Sequence, residues 1–280
     1  MTIAPPPAAP AAPTPPPTRG SSRVVAILAI ALGAAVILGA LGSAVFSTVA
    51  AASVRTESRS VDVGGVSELD VSVDAASLRL EFADVSEATL QVTSGLGAGS
   101  WTLRTDGDTL RVASPQRFGP GWWVFGGEVR AILTLPHDLA GDDLDATLEL
   151  AAGDLTVDGR FGDLGIDVGA GRLSVDGSAT TLTAELSAGG ADIDLADVTE
   201  AGFSVSAGTI DARLTGTAPR TVTVDVSAGG LDLELPDGAY DVRSDVSAGE
   251  FDNGLQTQAG ARNTVDVTVS AGTVTIDSAR

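Results

Sequence analysis

The stretch VDVSAGGLDLELPDG (224–238) contains two alternating segments that are out of phase with each other. Apolar side chains occupy every second position up to Val226, and after Ser-Ala-Gly they return at Leu231, Leu233 and Leu235 on the opposite parity. Alternate residues of a strand point to opposite faces, so both segments can bury their apolar residues only if the joint adds one residue. A corner or bulge that contains glycine supplies that residue. The stretch therefore predicts two strands that meet at a Ser-Ala-Gly corner and share one core.

A three-residue joint that ends in Ala-Gly recurs through the second half of the chain, and in five of its seven copies the first residue is Ser. The copies are LELAAGDLTVDG (148–159), IDVGAGRLSVDG (166–177), AELSAGGADIDL (184–195), FSVSAGTIDARL (203–214), VDVSAGGLDLEL (224–235), SDVSAGEFDNG (244–254) and VTVSAGTVTIDS (267–278). The joint glycines are Gly153, Gly171, Gly189, Gly208, Gly229, Gly249 and Gly272, separated by 18 to 23 residues. A period near 20 residues indicates stacked repeats that bury their apolar faces against each other. Alanine precedes the glycine in every copy, which predicts a tight inner corner with room for only a methyl group.

These repeats predict an all-β fold over residues 61–280, a β-solenoid or β-roll with rungs about 4.8 Å apart. The alternative is an antiparallel sandwich, which also has short strands at regular spacing. The solenoid is favoured because sandwich strands do not need the same tripeptide at the same place. Two earlier segments, VSVDAASLRLEF (71–82) and GAGSWTLRT (97–105), are interpreted as irregular copies of the repeat.

The N-terminal part of the chain has a different composition. Residues 1–22 are rich in Pro and Ala and predict a disordered tail. Residues 23–52 contain the uncharged run 24–46, which is long enough to cross a bilayer as a helix. Residues 53–60 are interpreted as a linker. The span predicts a single-pass protein of the cell membrane whose C-terminal domain is extracytoplasmic, although Ala50-Ala51-Ala52 also fits the cleavage site of a signal peptide.

The charge of the chain restricts its partners. The formal net charge is −21, cysteine is absent, and residues 56–280 hold 13 Arg against 37 acidic residues. A surface of this sign disfavours nucleic acid and anionic lipid headgroups as partners. The lack of cysteine excludes disulfides, thiolate metal sites and cysteine nucleophiles.

The sequence offers little that indicates catalysis. His137 is the only histidine, and it lies in the turn LPHD (135–138). Asp142, Asp143 and Asp145 form the densest acidic cluster and would be the candidate acids of a polysaccharide-active enzyme on a β-helix, but a solvated loop is the favoured interpretation. No phosphate-binding loop or complete dinucleotide fingerprint is present, so we expect no enzyme activity and no cofactor. Structural calcium on the Asp-rich turns is the alternative, but GGADIDLAD (189–197) is only a loose echo of the calcium-binding nonapeptide.

The segment RFGPGWWVFGG (117–127) concentrates aromatic residues between Gly and Pro. Phe118, Trp122, Trp123 and Phe125 are the candidate binding residues of the chain. One interpretation is a cap over the open end of the solenoid, where an exposed edge must be covered. The other is an exposed aromatic patch that binds a partner, a glycan or a membrane.

The Ser-Ala-Gly-x-apolar-x-apolar units, together with LPHD (135–138) and LPDG (235–238), resemble a known bacterial family over roughly residues 60–280. It comprises β-strand-repeat proteins of unknown function labelled "putative adhesin", many of which follow a single N-terminal membrane helix. The Lys-free composition is similar to that of high-GC actinobacterial proteins. The resemblance implies a non-catalytic binding or scaffold module of the cell envelope, with an envelope protein or glycan as partner. The alternative is a glycan-directed enzyme on a β-helix.

Overall fold

The computed structural model describes residues 55–94, 100–115, 129–140 and 144–279. These residues are almost entirely in strands, which confirms the predicted all-β fold. In the described ranges, no helix is long and apolar enough to cross a membrane. The predicted tail (1–22), membrane helix (23–52) and aromatic segment (117–127) all lie outside those ranges.

Fourteen strands and one 3-10 turn, His137–Leu139, make up the described fold. The strands are β1 Arg55–Val61, β2 Glu68–Val73, β3 Ala76–Ala83, β4 Ala88–Ser94, β5 Thr102–Asp106, β6 Thr109–Ala113, β7 Arg130–Pro136, β8 Asp145–Ala196, β9 Glu200–Val205, β10 Thr209–Thr215, β11 Thr221–Leu235, β12 Ala239–Asn253, β13 Gln256–Thr257 and β14 Asn263–Ser278. The long β8 contains three copies of the repeat, so it is an extended chain that passes through several corners.

β11 shows how one repeat buries its apolar side chains. Its first arm, before the joint, buries Val222, Val224 and Val226, and its second arm buries Leu231, Leu233 and Leu235. The change of parity at the Ser-Ala-Gly joint is therefore the change that the sequence predicts. The aliphatic side chains of successive repeats join one continuous core.

Glycine, and not alanine, occupies the tight side of the corner. A Cβ atom added at Gly229 would lie 2.5 Å from the carbonyl oxygen of Gly208 and 2.9 Å from Cγ1 of Val205. Ala228 is exposed, as are most of the joint alanines, so the predicted inner-corner role of alanine is wrong. Consecutive repeats stack joint on joint, and the glycine provides the space that this close backbone approach requires.

The repeats stack through parallel pairing, which differs from the antiparallel sandwich alternative. The rung of β2 and β3 pairs with the first repeat of β8, and the last repeat of β8 pairs with the rung of β9 and β10. That rung pairs in turn with β11. The interpretation of VSVDAASLRLEF (71–82) as a copy is confirmed, because Ala76 takes the register position opposite Gly153.

The last two repeats exchange places relative to their order in the chain. β14 pairs with β11 on one side and β12 on the other, so the C-terminal repeat lies between its two predecessors. The register explains why β14 and not β12 lies next to β11, because Ser244 and Asn253 of β12 stand opposite Val267 and Ile276 of β14. Polar side chains at inward positions would be costly in the middle of the stack, where both sides are covered. The more apolar repeat therefore lies inside and the more polar one lies at the end.

The N-terminal side of the stack is less regular. β7 pairs parallel with β3 but antiparallel with β4, and β4 pairs antiparallel with β1. Within GAGSWTLRT (97–105), residues 102–105 belong to an antiparallel hairpin of β5 and β6, so the interpretation of this segment as a repeat is wrong. The hairpin joins the stack through the parallel pairing of β6 with β2. β1 begins at Arg55, inside the segment interpreted as a linker (53–60).

Candidate functional site

The predicted aromatic site is not part of the described structure. Phe118, Trp122, Trp123 and Phe125 lie in the segment 116–128, outside the described ranges. Their role as binding residues remains a prediction.

The acids and the histidine singled out in the sequence have no common site among the described residues. Asp142 and Asp143 lie outside the described ranges, whereas Asp145 opens β8 and its Oδ1 accepts a hydrogen bond of 2.8 Å from the backbone N–H of Asp163. This bond links the starts of two adjacent rungs, so the carboxylate of Asp145 has a structural role. His137 is exposed at the start of the 3-10 turn.

A different group of acids is brought together by the stacking itself. Asp192, Asp211 and Asp232 lie on the second arms of three adjacent rungs, and in register Asp211 stands opposite both of the others. Adjacent strands lie about 4.8 Å apart, so the three side chains form a ladder of like charges. All three are exposed, since they alternate with the buried residues of their strands.

A second column runs beside this ladder, two residues further along each rung. Arg213 stands opposite Asp194 on one side and Glu234 on the other, and Glu234 stands opposite Asp277. Nε of Arg213 lies 2.8 Å from Oε2 of Glu234. The guanidinium therefore neutralises part of a column that is otherwise acidic.

These two columns line a shallow depression of about 490 Å³ on the outside of the stack. We call this surface the acidic face; its charged residues are Asp176, Asp192, Asp194, Asp211, Arg213, Asp232, Glu234 and Asp277. Partial burial, and then the charges of Asp232 and Asp192, raise the pKa of Asp211 above its usual value. Both causes disfavour the ionised form of this carboxyl group. Asp211 thus holds its negative charge against an electrostatic cost, and its position on the acidic face is favourable for a cation.

The chemistry of the acidic face suits electrostatic binding. Its carboxylates follow the rungs in rows, and no cluster of three or more metal-type ligands occurs in the described part of the chain. Rows of carboxylates at strand spacing match a partner that carries several positive charges at similar intervals. These rows of carboxylates therefore favour the binding of a polycationic surface over the binding of a single ion.

The sequence contains a signal for this face that a search for motifs does not detect. When the repeats are aligned on their joint glycines, acids recur on the exposed side of the second arms in ADIDL (191–195), TIDAR (209–213) and LDLEL (231–235). Since the joints stack on each other, acids at equal distance from the joint must also stack.

No protein-family model and no curated protein matches the chain. Among solved structures, it is similar to a "putative cell adhesion protein" from Clostridium sporogenes, with 10% identity, a TM-score of 0.37 and coverage of 81% of this chain and 100% of that one. A "putative adhesin" from Bacteroides fragilis has 12% identity and a TM-score of 0.42 over 80% of this chain and 97% of that one. A "putative lipid binding protein" from Parabacteroides distasonis has 14% identity and a TM-score of 0.35 over 79% and 96%. Similarities this loose carry no argument about function.

Proposed function

We propose that residues 55–279 form the β-solenoid ectodomain of a single-pass membrane protein and act as a non-catalytic binding or scaffold module of the cell envelope. The acidic face is the binding surface, and its partner is a cationic surface of an envelope protein or of an amine-bearing glycan. The observation that carries this proposal is the ladder of Asp192, Asp211 and Asp232, which keeps three like charges on adjacent rungs. Core packing does not require these charges, because all three side chains point away from the core.

The interior of the stack supports a non-catalytic role. In the described part of the chain, the buried polar groups are the side chains of Thr109 and Ser114, the hydroxyl group of Tyr240 and the indole N–H of Trp101, and the remaining buried side chains form the apolar core. Enzymes usually hold their acids and bases in water-excluding pockets, where burial and neighbours tune the pKa values. The acids of the acidic face instead lie on the open outside of the stack.

The test of the proposed binding surface uses the full chain in nonionic detergent. Asp192, Asp211 and Asp232 are replaced together by Asn, and the partners captured from an envelope extract are compared with those of the wild type. A control variant with Asp167→Asn and Asp225→Asn removes exposed acids from the first arms. We expect the triple variant to lose basic partners that the control retains, with no fall in the melting temperature. Capture of the same partners by the triple variant would refute the acidic face as the binding surface.

The aromatic segment is a second possible contact, and the same experiment separates it. Trp122→Ala/Trp123→Ala in the full chain would lose partners without a change in melting temperature if the segment binds them. A melting temperature lowered by several degrees with all partners retained would assign the two tryptophans to a cap.

Membrane anchoring through residues 24–46 belongs to the same proposal. The uncharged run between Arg23 and Arg55 supports it. We expect the protein to remain in the membrane fraction after alkaline and high-salt washes. A mature N-terminus near Ser53 would show a cleaved signal peptide instead.

One observation favours the alternative, a glycan-directed enzyme. Asp211 has a raised pKa beside ionisable neighbours, and Arg213 lies on the same depression. Retaining glycosidases hold two carboxyl groups about 5 Å apart, a separation close to that of adjacent rungs. We expect no release of reducing sugars from envelope polysaccharides above background. Release that disappears in Asp211→Asn, but not in Asp225→Asn, would establish the enzyme.

A further inference from the structure

β12 is the last full rung of the stack, and one of its edges is open. β13 pairs only with Ala239 and Tyr240 of β12, and in the described part of the chain no strand pairs with the outer edge of residues 243–253. Residues 243–250 are all exposed, although a rung inside the stack buries every second residue of its arms. Because alternate residues of a parallel strand direct their N–H and C=O groups to the same side, this edge presents a row of backbone groups with which no described strand pairs.

The open edge also presents apolar side chains at inward positions. Val246 and Phe251 stand opposite Val269 and Val274 of β14, both fully buried. Val246 is nevertheless 39% exposed, and Phe251 is only partly buried. The column of inward apolar side chains therefore extends as far as β12, and its last members, Val246 and Phe251, are not covered by another described rung.

Natural sheets usually protect such an edge with proline, lysine, a bulge or an inward-pointing charge. Residues 243–253 contain no proline or lysine, and their inward positions are held by Ser244, Val246, Phe251 and Asn253. By contrast β1, an edge strand on the far side of the sheet order, reads RTESRSV and alternates charged with polar residues. The edge of β12 thus has the features of a surface that accepts another strand.

Charge decides which kind of strand fits. The charged outward residues of this edge are Asp245, Glu250 and Asp252, together with Arg243, whose guanidinium already pairs with Asp241 and Asp266. In a second copy of the chain these acids would meet like charges, and the formal net charge of −21 adds long-range repulsion. An incoming strand with basic residues at its outward positions would pair with the acids instead, and apolar residues at its inward positions would cover Val246 and Phe251.

We infer that the outer edge of β12, residues 243–253, binds an extended basic segment of a partner protein by strand addition. The segment continues the parallel ladder, places apolar residues on Val246 and Phe251, and places Arg or Lys beside Asp245 and Asp252. This site is distinct from the acidic face, so it stands or falls independently of the proposed function.

The test uses the full chain in nonionic detergent and a fluorescent peptide, RVRVRVSAGRVRI. The peptide keeps the apolar and joint residues of Thr264–Ile276 and places Arg at the alternate, outward positions. A second peptide has the same sequence but N-methylated arginines, so that it keeps the charge and loses backbone donors. A third carries Glu in place of Arg. Binding is followed by fluorescence anisotropy, and the site is located by amide hydrogen exchange.

We expect the first peptide to bind and to protect the amides of residues 243–253, with binding at least about tenfold weaker for the N-methylated and Glu peptides. Val246→Lys should weaken binding by about tenfold, since it places a charge in the apolar column. Val85→Lys is the matched control, because Val85 is 38% exposed outside β12 and its replacement should leave binding unchanged.

Three results would overturn the inference. Equal binding of the N-methylated peptide would show that charge alone attracts it. Loss of protection at residues 263–278 would show that the peptide displaces β14 instead of adding to β12. A dimer of the free chain that disappears in Val246→Lys would assign the edge to a second copy.

Discussion

The glycine of each Ser-Ala-Gly joint determines how closely the rungs can stack. Gly229→Ala would place a methyl group 2.5 Å from the carbonyl oxygen of Gly208, and backbone in the middle of a ladder cannot move aside easily. We expect a loss of about 1–3 kcal/mol in the free energy of unfolding. Ala228→Leu is the control: its side chain is exposed, so we expect a change within about 0.5 kcal/mol. Urea unfolding followed by circular dichroism measures both, and a larger loss for Ala228→Leu would reverse this assignment of the corner.

Asp211 is a residue whose replacement should stabilise the protein. Its raised pKa means that the folded state favours the protonated carboxyl group, so its contribution to stability is present at low pH and is lost as pH rises through the folded pKa. Asp211→Asn should therefore raise the free energy of unfolding at pH 7 by a few tenths of a kcal/mol, roughly the size of exposed cross-strand charge effects. The gain should vanish near pH 3.

Asp225→Asn is the matched control for this comparison. Asp225 is exposed, and its register neighbours are Ser204 and Thr268, so it lacks the acidic neighbours of Asp211. We expect no stabilisation at either pH. An equal gain from both substitutions would attribute the effect to overall charge and not to the ladder.

Tyr240 provides a titration that can be followed in isolation. Its side chain is buried, its hydroxyl group donates a hydrogen bond of 2.8 Å to the carbonyl oxygen of Pro236, and burial, with a smaller effect of Asp237, raises its pKa to about 12. Because the folded pKa lies above the ordinary tyrosine value of 10.0, this contribution to stability is intact below pH 10 and is lost as pH rises toward 12. The chain has one Tyr and no Cys or Lys, so few other side chains titrate in this window.

We expect the ultraviolet absorbance of tyrosinate to rise near pH 12 in the folded protein and near pH 10 in urea. Tyr240→Phe should cost about 1 kcal/mol at pH 7, because the carbonyl oxygen of Pro236 loses its donor. It should also remove most of the fall in stability between pH 10 and 12. A folded protein that titrates near pH 10 would contradict the burial of the hydroxyl group.

The strands and corners were predictable from the sequence because parity is a local property. Val226 and Leu231 have opposite parity, and only an added residue at the joint can bury both. The exposed position of Ala228 was not predictable in the same way, since alternation does not reveal which residue of a three-residue joint faces the neighbouring rung. Only the space around Gly229, which depends on Gly208 in the rung below, decides it.

The stacking order of the rungs was harder to predict, although the residues that explain it can be read in the sequence. Two repeats with the same joint can pair in the same register, so the chain order suggests β11, then β12, then β14. Ser244 and Asn253 make the inward side of β12 more polar than that of β14, so β12 is less suited to the middle of the stack. This becomes clear only when the inward positions of the two repeats are compared. The acidic face required the same comparison across rungs, because no single segment contains it.

The inserted position of β14 can be tested because the chain has no cysteine. Asp225 of β11 and Thr268 of β14 are register neighbours, as are Thr268 and Asp245 of β12. A disulfide needs Cα atoms about 4.4–6.8 Å apart, which adjacent rungs allow and rungs two steps apart, at about 9.5 Å, do not. We expect oxidation to cross-link Asp225→Cys with Thr268→Cys, but not Asp225→Cys with Asp245→Cys. The opposite result on nonreducing gels would restore the chain order of the rungs.

The whole β-repeat domain combines a core that is continuous along the stack with a surface that is strongly acidic. The apolar columns require only that inward positions be aliphatic, so the outward positions are free to carry charge. Arg213 neutralises part of this surface charge, since it ion-pairs with Glu234 and stands in register beside Asp194. Acids outnumber arginines by 37 to 16 in the chain, so added cations should act on the molecule as a whole.

The last prediction concerns calcium, for which these carboxylates are the available ligands. Calcium requires six to eight oxygens around one point, whereas the acidic face presents carboxylates in rows on successive rungs. Binding of this kind would be diffuse, and diffuse binding depends on charge and ionic strength more than on the identity of the ion. We expect millimolar Ca²⁺ to raise the melting temperature by no more than an equal concentration of Mg²⁺, and we expect NaCl to reproduce most of the rise. The triple Asp→Asn variant at positions 192, 211 and 232 should respond less than the wild type to all three salts. A large rise specific to Ca²⁺ and abolished by a chelator would instead require a built calcium site, and retention of that rise in the triple variant would place the site away from the acidic face.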